Sequence, residues 1–329
     1  MSEETMSGKD KIRFGIIGSG GIARRFALSM QHTENACVSA VWGRNEATVA
    51  ALAEASNAEA CLTLDTLFER CDAVYIATLP DTHEQFALAA LKARKPVLCE
   101  KPLMRSSEEL DRVLVAAREN DQLFMEAMKP PFFPLHRSLR KHLEEDPIGD
   151  VQYVQSGYCD ARVPPDHPSW RADLHGGALQ GIGVYQAWLA VEWLGQASSI
   201  ATIGRMQNGV DAFAFVQVEH QRGFSQLHCG MGLSSPGEAT LCAEGGHVSL
   251  HAPWWNPVRA TIRYKDGRAV TLDEPFAAGG LQYEVDHFCQ LLRTETKMSP
   301  VLTHTISRDV MHILDTARAQ VMAPQLHRG

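Results

Sequence analysis

The chain has 329 residues, of which 45% are hydrophobic and 21% charged, and its net charge is −8. This balance is typical of a soluble protein of two domains, and without a long run of like charge we expect neither nucleic acid nor a membrane surface as partner. No uncharged apolar run reaches the roughly 18 residues that cross a bilayer. Residues 1–10 are too polar for a signal peptide, and the eight cysteines lack C-x-x-C spacing, so we expect a cytoplasmic protein with reduced thiols.

The chain begins with a pattern typical of dinucleotide binding. An apolar strand at residues 12–17 leads directly into Gly18-Ser19-Gly20-Gly21-Ile22-Ala23, which opens a helical stretch. In this G-x-G-x-x-A pattern Gly18 permits the tight turn, Gly20 lets backbone N–H groups approach a pyrophosphate, and Ala23 lets helix and strand pack closely. The phosphates then lie at a helix N-terminus, where unpaired N–H groups favour negative charge.

The second strand, Ala36 to Trp42, indicates which dinucleotide is bound. An NAD site needs a carboxylate near the end of this strand for the ribose hydroxyls, and no carboxylate occurs between residues 36 and 45. Arg44 stands there instead, and its guanidinium can hold a 2′-phosphate through a fork of donors. This favours NADP over NAD. The alternative is a solvated Arg44, with Glu46 at the start of the next helix reaching the ribose.

Two further strands place a lysine at the ligand-binding edge. Residues 72–78 form a strand that ends at Leu79-Pro80-Asp81-Thr82-His83, and a helix follows to about Ala93. Residues 96–99 form the next strand, whose carboxyl end is followed by Glu100-Lys101-Pro102. Ligands of open parallel sheets bind outside the carboxyl ends of the strands, so topology alone places Lys101 at the site. The alternative is a solvated lysine at a strand end.

The texture of the sequence changes after a helix at about 106–119 and a strand at 123–126. Prolines at 130, 131 and 134 interrupt the alternation of strands and helices, so we predict a boundary near Ala127, with domains at 1–127 and 128–329. Alternating runs at 151–157, 212–218 and 260–264 are typical of an antiparallel sheet with one covered face. Helical segments at about 284–293 and 306–320 close the chain.

A second stretch with the features of a site follows Trp170-Arg171. It runs from His175-Gly176-Gly177 through Gly181 to Tyr185. Each interior glycine costs a helix roughly 1 kcal/mol relative to alanine, which indicates close approach of a ligand or another backbone. Gly181 and Tyr185 share a face if the stretch is helical. Tyr185 is then a candidate proton donor or acceptor, and the alternative is a buried core tyrosine.

Metal-binding patterns are weak. His247 and His251 lie in an alternating segment that separates them by over roughly 13 Å at the rise of a strand. Glu284 and His287 have E-x-x-H spacing, but no second pair of this kind accompanies them. We therefore predict no metal site.

Taken together, these stretches resemble the glucose-fructose oxidoreductase and inositol dehydrogenase family, called Gfo/Idh/MocA. The matching residues are the 18–23 loop, Pro80 with His83, Glu100-Lys101-Pro102, Gly176-Gly177 through Tyr185, and Tyr283 through Phe288. The resemblance implies an α/β fold, with an N-terminal Rossmann domain and a C-terminal α/β domain built on a large open, mainly antiparallel sheet. Since that sheet often serves for dimerisation, we expect a homodimer or a larger homo-oligomer.

The resemblance also implies NAD(P)-dependent hydride transfer on a small-molecule substrate: a sugar, a cyclic polyol, a diol or a related carbonyl compound. Lys101 is then the catalytic lysine, and Tyr185 falls where the branch that includes dimeric dihydrodiol dehydrogenase carries a catalytic tyrosine. Trp170 and Arg171 look like the pair that often lies near the nicotinamide. The expected cofactor-binding residues are Gly18, Ser19, Gly20, Gly21, Ile22, Arg44, Thr78, Leu79, Pro80, His83, Glu100, Lys101, Trp170 and Arg171.

One departure from the family pattern concerns the substrate. Gly181 occupies the position where most members carry an aspartate that helps to hold substrate and polarise the lysine, and Lys129 to Pro131 replace larger residues. Retention of Lys101 and Tyr185 favours a working enzyme whose pocket Gly181 enlarges. The alternative is a noncatalytic NADP-binding sensor or scaffold.

Overall fold

The computed structural model describes residues 11–323, and the polar segment 1–10 lies outside them. Contacts divide these residues into two compact units. The first unit consists of residues 11–104, 108–132 and 276–303. The second consists of residues 105–107, 133–275 and 304–323.

The first unit is built on a six-stranded parallel sheet. Its strands are β1 Ile12–Ile17, β2 Ala36–Trp42, β3 Glu59–Ala60, β4 Ala73–Ile76, β5 Val97–Glu100 and β6 Phe124–Ala127. The spatial order β3-β2-β1-β4-β5-β6 reverses direction between β1 and β4, which is the doubly wound arrangement of a Rossmann fold. The predicted N-terminal fold is confirmed, and the reversal marks the crevice where such sheets bind ligands.

The helices of this unit alternate with its strands along the chain. They are α1 Gly21–Ser29, α2 Glu46–Ala55, α3 Leu64–Arg70, α4 His83–Lys92 and α5 Ser107–Glu119. Asn45 caps α2 because its side chain accepts a hydrogen bond from the Thr48 amide, at 3.0 Å. The α1 face of the sheet is aromatic, with the rings of Phe26 and Tyr75 stacked 3.5 Å apart.

The second unit is built on an eight-stranded sheet. Its strands are β7 Val151–Asp160, β8 Ala197–Gln207, β9 Val210–His220, β10 Gly223–Met231, β11 Ala239–Ala243, β12 Gly246–Leu250, β13 Arg259–Tyr264 and β14 Ala269–Asp273. The order is β14-β13-β12-β11-β7-β10-β9-β8, and every neighbouring pair is antiparallel except β7 with β10. The three predicted strands lie within β7, β9 and β13, so the expected large, mainly antiparallel sheet is confirmed.

Four more helices complete the described chain: α6 Pro134–Glu145, α7 Val184–Leu194, α8 Leu281–Arg293 and α9 His304–Met322. Helices α7 and α9 cover one face of the eight-stranded sheet, where β9 places Ala212, Ala214 and Val216 in the core. The opposite face is open and carries large apolar side chains, with Ile203 71% and Phe224 58% exposed. Within residues 11–323, no helix combines the length and apolar character that crossing a membrane requires.

A single cut at Ala127 does not describe how the chain packs. The first unit continues to Phe132, and residues 276–303, which include α8, pack with the first unit although they follow the whole eight-stranded sheet in sequence. Apolar packing explains why α8 belongs with the first unit. Phe288 of α8 is fully buried, with its ring 5.7 Å from that of Phe14 on β1. These contact-based units differ from the sequence-based division into 1–127 and 128–329, which follows the alternation of elements along the chain.

Candidate active site

The glycine loop joins three strand ends. The Gly18 amide donates a 2.7 Å hydrogen bond to the carbonyl of Trp42, the last residue of β2. A Cβ at Gly18 would lie 2.7 Å from the carbonyl oxygen of Ala77, just after β4, and the φ of Gly18 is +112°. Because both the contact and the dihedral exclude a side chain, only glycine lets the ends of β1, β2 and β4 converge here.

Gly20 has the opposite environment. It immediately precedes α1, and a Cβ built on it would meet no atom within 4 Å. Gly21 and Ile22 form the first turn of α1, which contains no acidic residue. Ser19 is held by a 2.7 Å hydrogen bond between its Oγ and Oγ1 of Thr48. The loop thus offers open space against unpaired amide groups at a helix N-terminus, and this fits the diphosphate of NAD(P).

Arg44 lies two residues after the end of β2, following Gly43, and is exposed. It makes no hydrogen bond or ion pair with any residue that the structure describes. Glu46, the only carboxylate nearby in sequence, lies in the first turn of α2. The guanidinium is therefore available at the edge of the sheet that the adenosine ribose occupies in Rossmann folds.

Lys101 is positioned by the glutamate that precedes it. Glu100 ends β5, is 5% exposed, and accepts a 2.5 Å hydrogen bond from the Tyr75 hydroxyl. Its second carboxylate oxygen accepts the backbone amide of Lys101 at 3.1 Å. Burial raises the pKa of Glu100, while the charge of Lys101 and the bond from Tyr75 lower it. The turn that presents Lys101 is thus fixed by an internal carboxylate.

Further buried charges surround Glu100. Glu284 of α8 is fully buried, and neither of its carboxylate oxygens has a hydrogen-bond partner among residues 11–323. Burial, followed by the charge of Glu100, raises the pKa of Glu284 well above its usual range. Burial also lowers the pKa of Lys129 to about 8, and the charge of Lys101 adds to this lowering. The two lysines follow the adjacent strands β5 and β6.

His83 contacts two of the loops that form the site. It is fully buried, with Nδ1 3.2 Å from the Pro102 carbonyl and 3.1 Å from that of Leu103, and Nε2 3.2 Å from that of Thr78. The ring therefore ties the loop after β4 to the turn after Lys101. Thr78, Leu79 and Pro80 are partly exposed in that loop. We predicted His83 as a cofactor residue; both of its ring nitrogens lie near protein carbonyls, and its contact with the cofactor stays a prediction.

In the second unit, Trp170 ends a short 3-10 turn and Arg171 follows it. The Arg171 guanidinium is exposed and paired with Asp173, at 2.5 Å. The indole Nε1 of Trp170 is buried without a hydrogen-bond partner in the part of the chain that the structure describes. Of these two predicted cofactor residues, Arg171 is thus an exposed cation paired with Asp173. Trp170 carries a buried indole N–H group that has no acceptor among the described residues.

The glycine-rich stretch is helical, but it does not begin as an α-helix. Residues Leu179–Gly183 form one wide, π-helical turn, and α7 continues from it. A Cβ at Gly176 would lie 2.4 Å from the Ser169 carbonyl oxygen, and one at Gly177 would lie 2.1 Å from Oδ1 of Asp211. At Gly181 the nearest atom would be the Ser169 Oγ, at 3.6 Å. The predicted close approach is thus made by protein groups at 176 and 177, whereas Gly181 leaves room.

Tyr185 lies in the first turn of α7, four residues after Gly181. Across residues 176–191 every residue is buried except these two, which are partly exposed. Wide turns interrupt the regular spacing of a helix and often occur at functional sites. The common exposure shows that Tyr185 is not a fully buried core tyrosine.

Among residues 11–323 no cluster of three or more His, Cys, Asp or Glu side chains could hold an ion. The Nε2 atom of His251 hydrogen-bonds Thr261 at 2.9 Å, and that of His287 hydrogen-bonds Ser299 at 2.8 Å.

Three important residues were missed by the sequence reasoning, namely Tyr75, Glu284 and Asp211. Tyr75 sits in a run of strand residues that the pattern explains as core. Glu284 belongs to a motif quoted for the resemblance, and a glutamate on the buried face of a helix is a signal that could have marked it. Asp211 carries no local signal, since its partner lies 32 residues away.

The doubly wound sheet, the open glycine loop and the lysine at the carboxyl edge define a dinucleotide-binding oxidoreductase. The model for the "Oxidoreductase family, NAD-binding Rossmann fold" matches residues 12–128, and that for the "GFO/IDH/MocA C-terminal domain" matches residues 136–251. The chain belongs to the Gfo/Idh/MocA family, as predicted. It is an NAD(P)-dependent dehydrogenase acting on CH–OH groups.

Individual relatives span nearly the whole chain. The scyllo-inositol 2-dehydrogenase (NADP(+)) of Bacillus subtilis is 30% identical over 94% of this chain and 97% of its own length. The trans-1,2-dihydrobenzene-1,2-diol dehydrogenase of Danio rerio is 26% identical over the same shares. A 3-ketoreductase from Actinomadura kijaniata, solved with NADP and TDP-benzene, has a TM-score of 0.83 at 25% identity and covers 94% of this chain and 98% of that one.

Two glycine substitutions test the loop. Gly20→Ala should leave the free energy of unfolding within about 1 kcal/mol of the parent but weaken NADPH binding roughly tenfold or more, because the methyl group enters the space left for phosphate. Gly18→Ala should instead cost about 2 kcal/mol or more of stability, because of its dihedral and its contact with Ala77. Urea unfolding and calorimetric titration with NADPH measure both. Equal NADPH affinity in Gly20→Ala and the parent would contradict the assignment.

Proposed function

We propose that this protein transfers hydride between NADP and a secondary alcohol or ketone of a sugar, cyclic polyol or diol, with Lys101 and Tyr185 as the proton-transfer couple. The observation that carries the proposal is the placement of Lys101, which a buried glutamate holds at the carboxyl edge of the sheet. Bound NADP supplies hydride exchange. The chain's own residues bind the alcohol or carbonyl oxygen and move its proton.

The electrostatics of the couple are sufficient on general grounds. A tyrosine needs its pKa lowered from about 10 to about 7 to act as a base at neutral pH, a change of about 4 kcal/mol. One cation about 4 Å away at an effective dielectric of about 20 supplies a comparable amount. In the reducing direction a neutral Tyr185 donates its proton while Lys101 polarises the carbonyl. An aspartate at position 181 is thus not needed to lower the pKa of Tyr185.

The relatives support the substrate class. Two are named as dehydrogenases of an inositol and of a dihydrobenzenediol, so ring-borne hydroxyl groups are their common substrate chemistry. The open position at Gly181 supports a substrate with a larger substituent at that point than an aspartate leaves room for. Named dehydrogenases and ketoreductases among the relatives favour the enzyme over the sensor or scaffold.

Arg44 supports NADP as the preferred cofactor. It stands free of protein partners within the described chain, two residues after the end of β2, where an NAD-specific site carries a carboxylate. The relative from Bacillus subtilis is named as NADP-dependent. A doubly charged 2′-phosphate beside a guanidinium gains charge-assisted hydrogen bonds that a ribose hydroxyl does not.

We include a homo-oligomer in this proposal. The open face of the eight-stranded sheet carries Ile203 and Phe224, and the strand register places both on the side away from the core. Exposed apolar patches of this kind mark association surfaces.

The couple is tested by removing each group separately. Lys101→Met and Tyr185→Phe should each lower kcat by roughly a thousandfold, because each removes a proton-transfer or polarising group, while NADPH affinity stays within about threefold. The assay is NADPH oxidation against a panel of inosose, keto-sugar and diketone substrates. Lys92→Met and Tyr153→Phe, which alter an exposed lysine and an outer-face tyrosine, serve as controls. Parent-like turnover in either test variant would refute the role of that residue.

Cofactor preference is tested at Arg44. Arg44→Ala should reduce the ratio of kcat/KM for NADPH to that for NADH by about tenfold or more, because a charge-assisted contact is worth roughly 1.5–3 kcal/mol. Arg118→Ala, which removes another exposed arginine of the same unit, is the matched control. An unaltered ratio in Arg44→Ala would rule out the proposed phosphate contact.

The substrate departure is tested at position 181. Gly181→Asp should fold normally, because a Cβ there meets only the Ser169 hydroxyl, at 3.6 Å. We expect it to raise kcat/KM for unsubstituted polyols and to lower it for the bulkiest substrate that the parent accepts, by roughly tenfold in each direction. Gly181→Ala separates added volume from added charge. If neither variant alters the substrate profile, position 181 lies outside the pocket.

A further inference from the structure

Asp211 is a buried carboxylate that the proposed chemistry does not use. It lies at the start of β9 and is 1% exposed. Its Oδ2 accepts a 2.7 Å hydrogen bond from the backbone amide of Leu179, the first residue of the π-helical turn. Oδ1 has no hydrogen-bond partner within residues 11–323. A carboxylate in such a place needs an explanation, because burying a charge costs more than burying a neutral acceptor.

The backbone at Gly177 packs closely against this carboxylate. Gly177 has a φ of +137°, and any Cβ there would lie 2.1 Å from Oδ1 of Asp211. The Gly177 carbonyl accepts the amide of Gly181 at 3.1 Å, so the residue that rests on Asp211 also begins the hydrogen bonding of the turn. Two points of contact, at Gly177 and at Leu179, therefore set where the turn starts and how it is rotated.

The position of the turn determines the position of Tyr185. Only residues 179–183 separate the anchored start from α7, and Tyr185 is the second residue of that helix. A rotation of the turn changes which residues of the stretch are exposed, as Gly181 and Tyr185 partly are. The carboxylate also lies at a helix N-terminus, where negative charge is favourable.

We propose that Asp211 is a positioning residue, which acts by fixing the 177–183 turn so that the Tyr185 hydroxyl faces the substrate. This inference rests on the proposed function, in which Tyr185 moves the proton. Burial raises the pKa of Asp211 to about 6, which reflects the cost of enclosing a carboxylate at this position. The charged and titratable groups recorded facing it are Arg318 of α9 and Cys229 of β10. A residue kept at a cost to stability is expected where function needs it.

The test is a double-mutant cycle on kcat with Asp211→Ala and Tyr185→Phe. Asp211→Ala should lower kcat by about thirtyfold in the parent but by less than about threefold in Tyr185→Phe, because a misplaced turn matters only while the hydroxyl is present. Asp211→Asn keeps an acceptor for Leu179 and should retain kcat within about threefold. NADPH affinity, measured by calorimetry, should be unchanged in all variants. If Asp211→Ala does not fold, Asp211→Ser, which is too short to reach Leu179, takes its place.

The outcomes separate the two proposals. An equal loss of kcat in both backgrounds would show that Asp211 acts on general stability, and parent-like kcat in both Asp211→Ala and Asp211→Ser would show that it does nothing for turnover. Either result overturns the positioning role of Asp211 and leaves the proposed role of Tyr185 in proton transfer unaffected. Parent-like kcat in Tyr185→Phe alone instead refutes the proposed function, and with it the inference.

Discussion

The site in the first unit depends on the two hydrogen bonds that the buried carboxylate of Glu100 accepts. The carboxylate takes the hydroxyl of Tyr75 on one oxygen and the amide of Lys101 on the other, so the sheet and the lysine turn are joined through one side chain. Placing this charge inside the protein is costly, and the raised pKa of Glu100 expresses that cost. The nearby charges of Lys101 and Lys129 offset part of it. The result is a lysine whose backbone position is set by the protein interior rather than by solvent.

The second unit uses a comparable device. There Asp211 accepts the amide of Leu179, as Glu100 accepts that of Lys101, and each contact fixes backbone just before or at a proposed reacting group. Catalytic groups must be held within a fraction of an ångström of their working positions. A hydrogen bond that a backbone amide donates to a buried carboxylate meets that requirement more firmly than an exposed ion pair, which is worth little.

Local patterns allowed much of the fold to be predicted. The apolar runs of β1 and β2 match the structure over Ile12–Ile17 and Ala36–Trp42, and the rule on strand ends located Lys101. The two-residue β3 and seven-residue α3 were missed because they are too short to show a period. Pro134, one of the prolines predicted to interrupt the alternation of strands and helices, occupies the first turn of α6, where its missing amide is harmless. Contacts such as that of Asp211 with Leu179 are decided by tertiary packing, which no local pattern contains.

The packing of α8 has a consequence for how the protein is made. Ribosomes extend a chain from its N-terminus, and domains usually fold as they emerge. Here the whole eight-stranded sheet, β7 to β14, is translated before Leu281–Arg293, the helix that covers Phe14. The nucleotide-binding half therefore stays incomplete during synthesis of the other half, and its exposed aromatic face must avoid aggregation until the helix arrives.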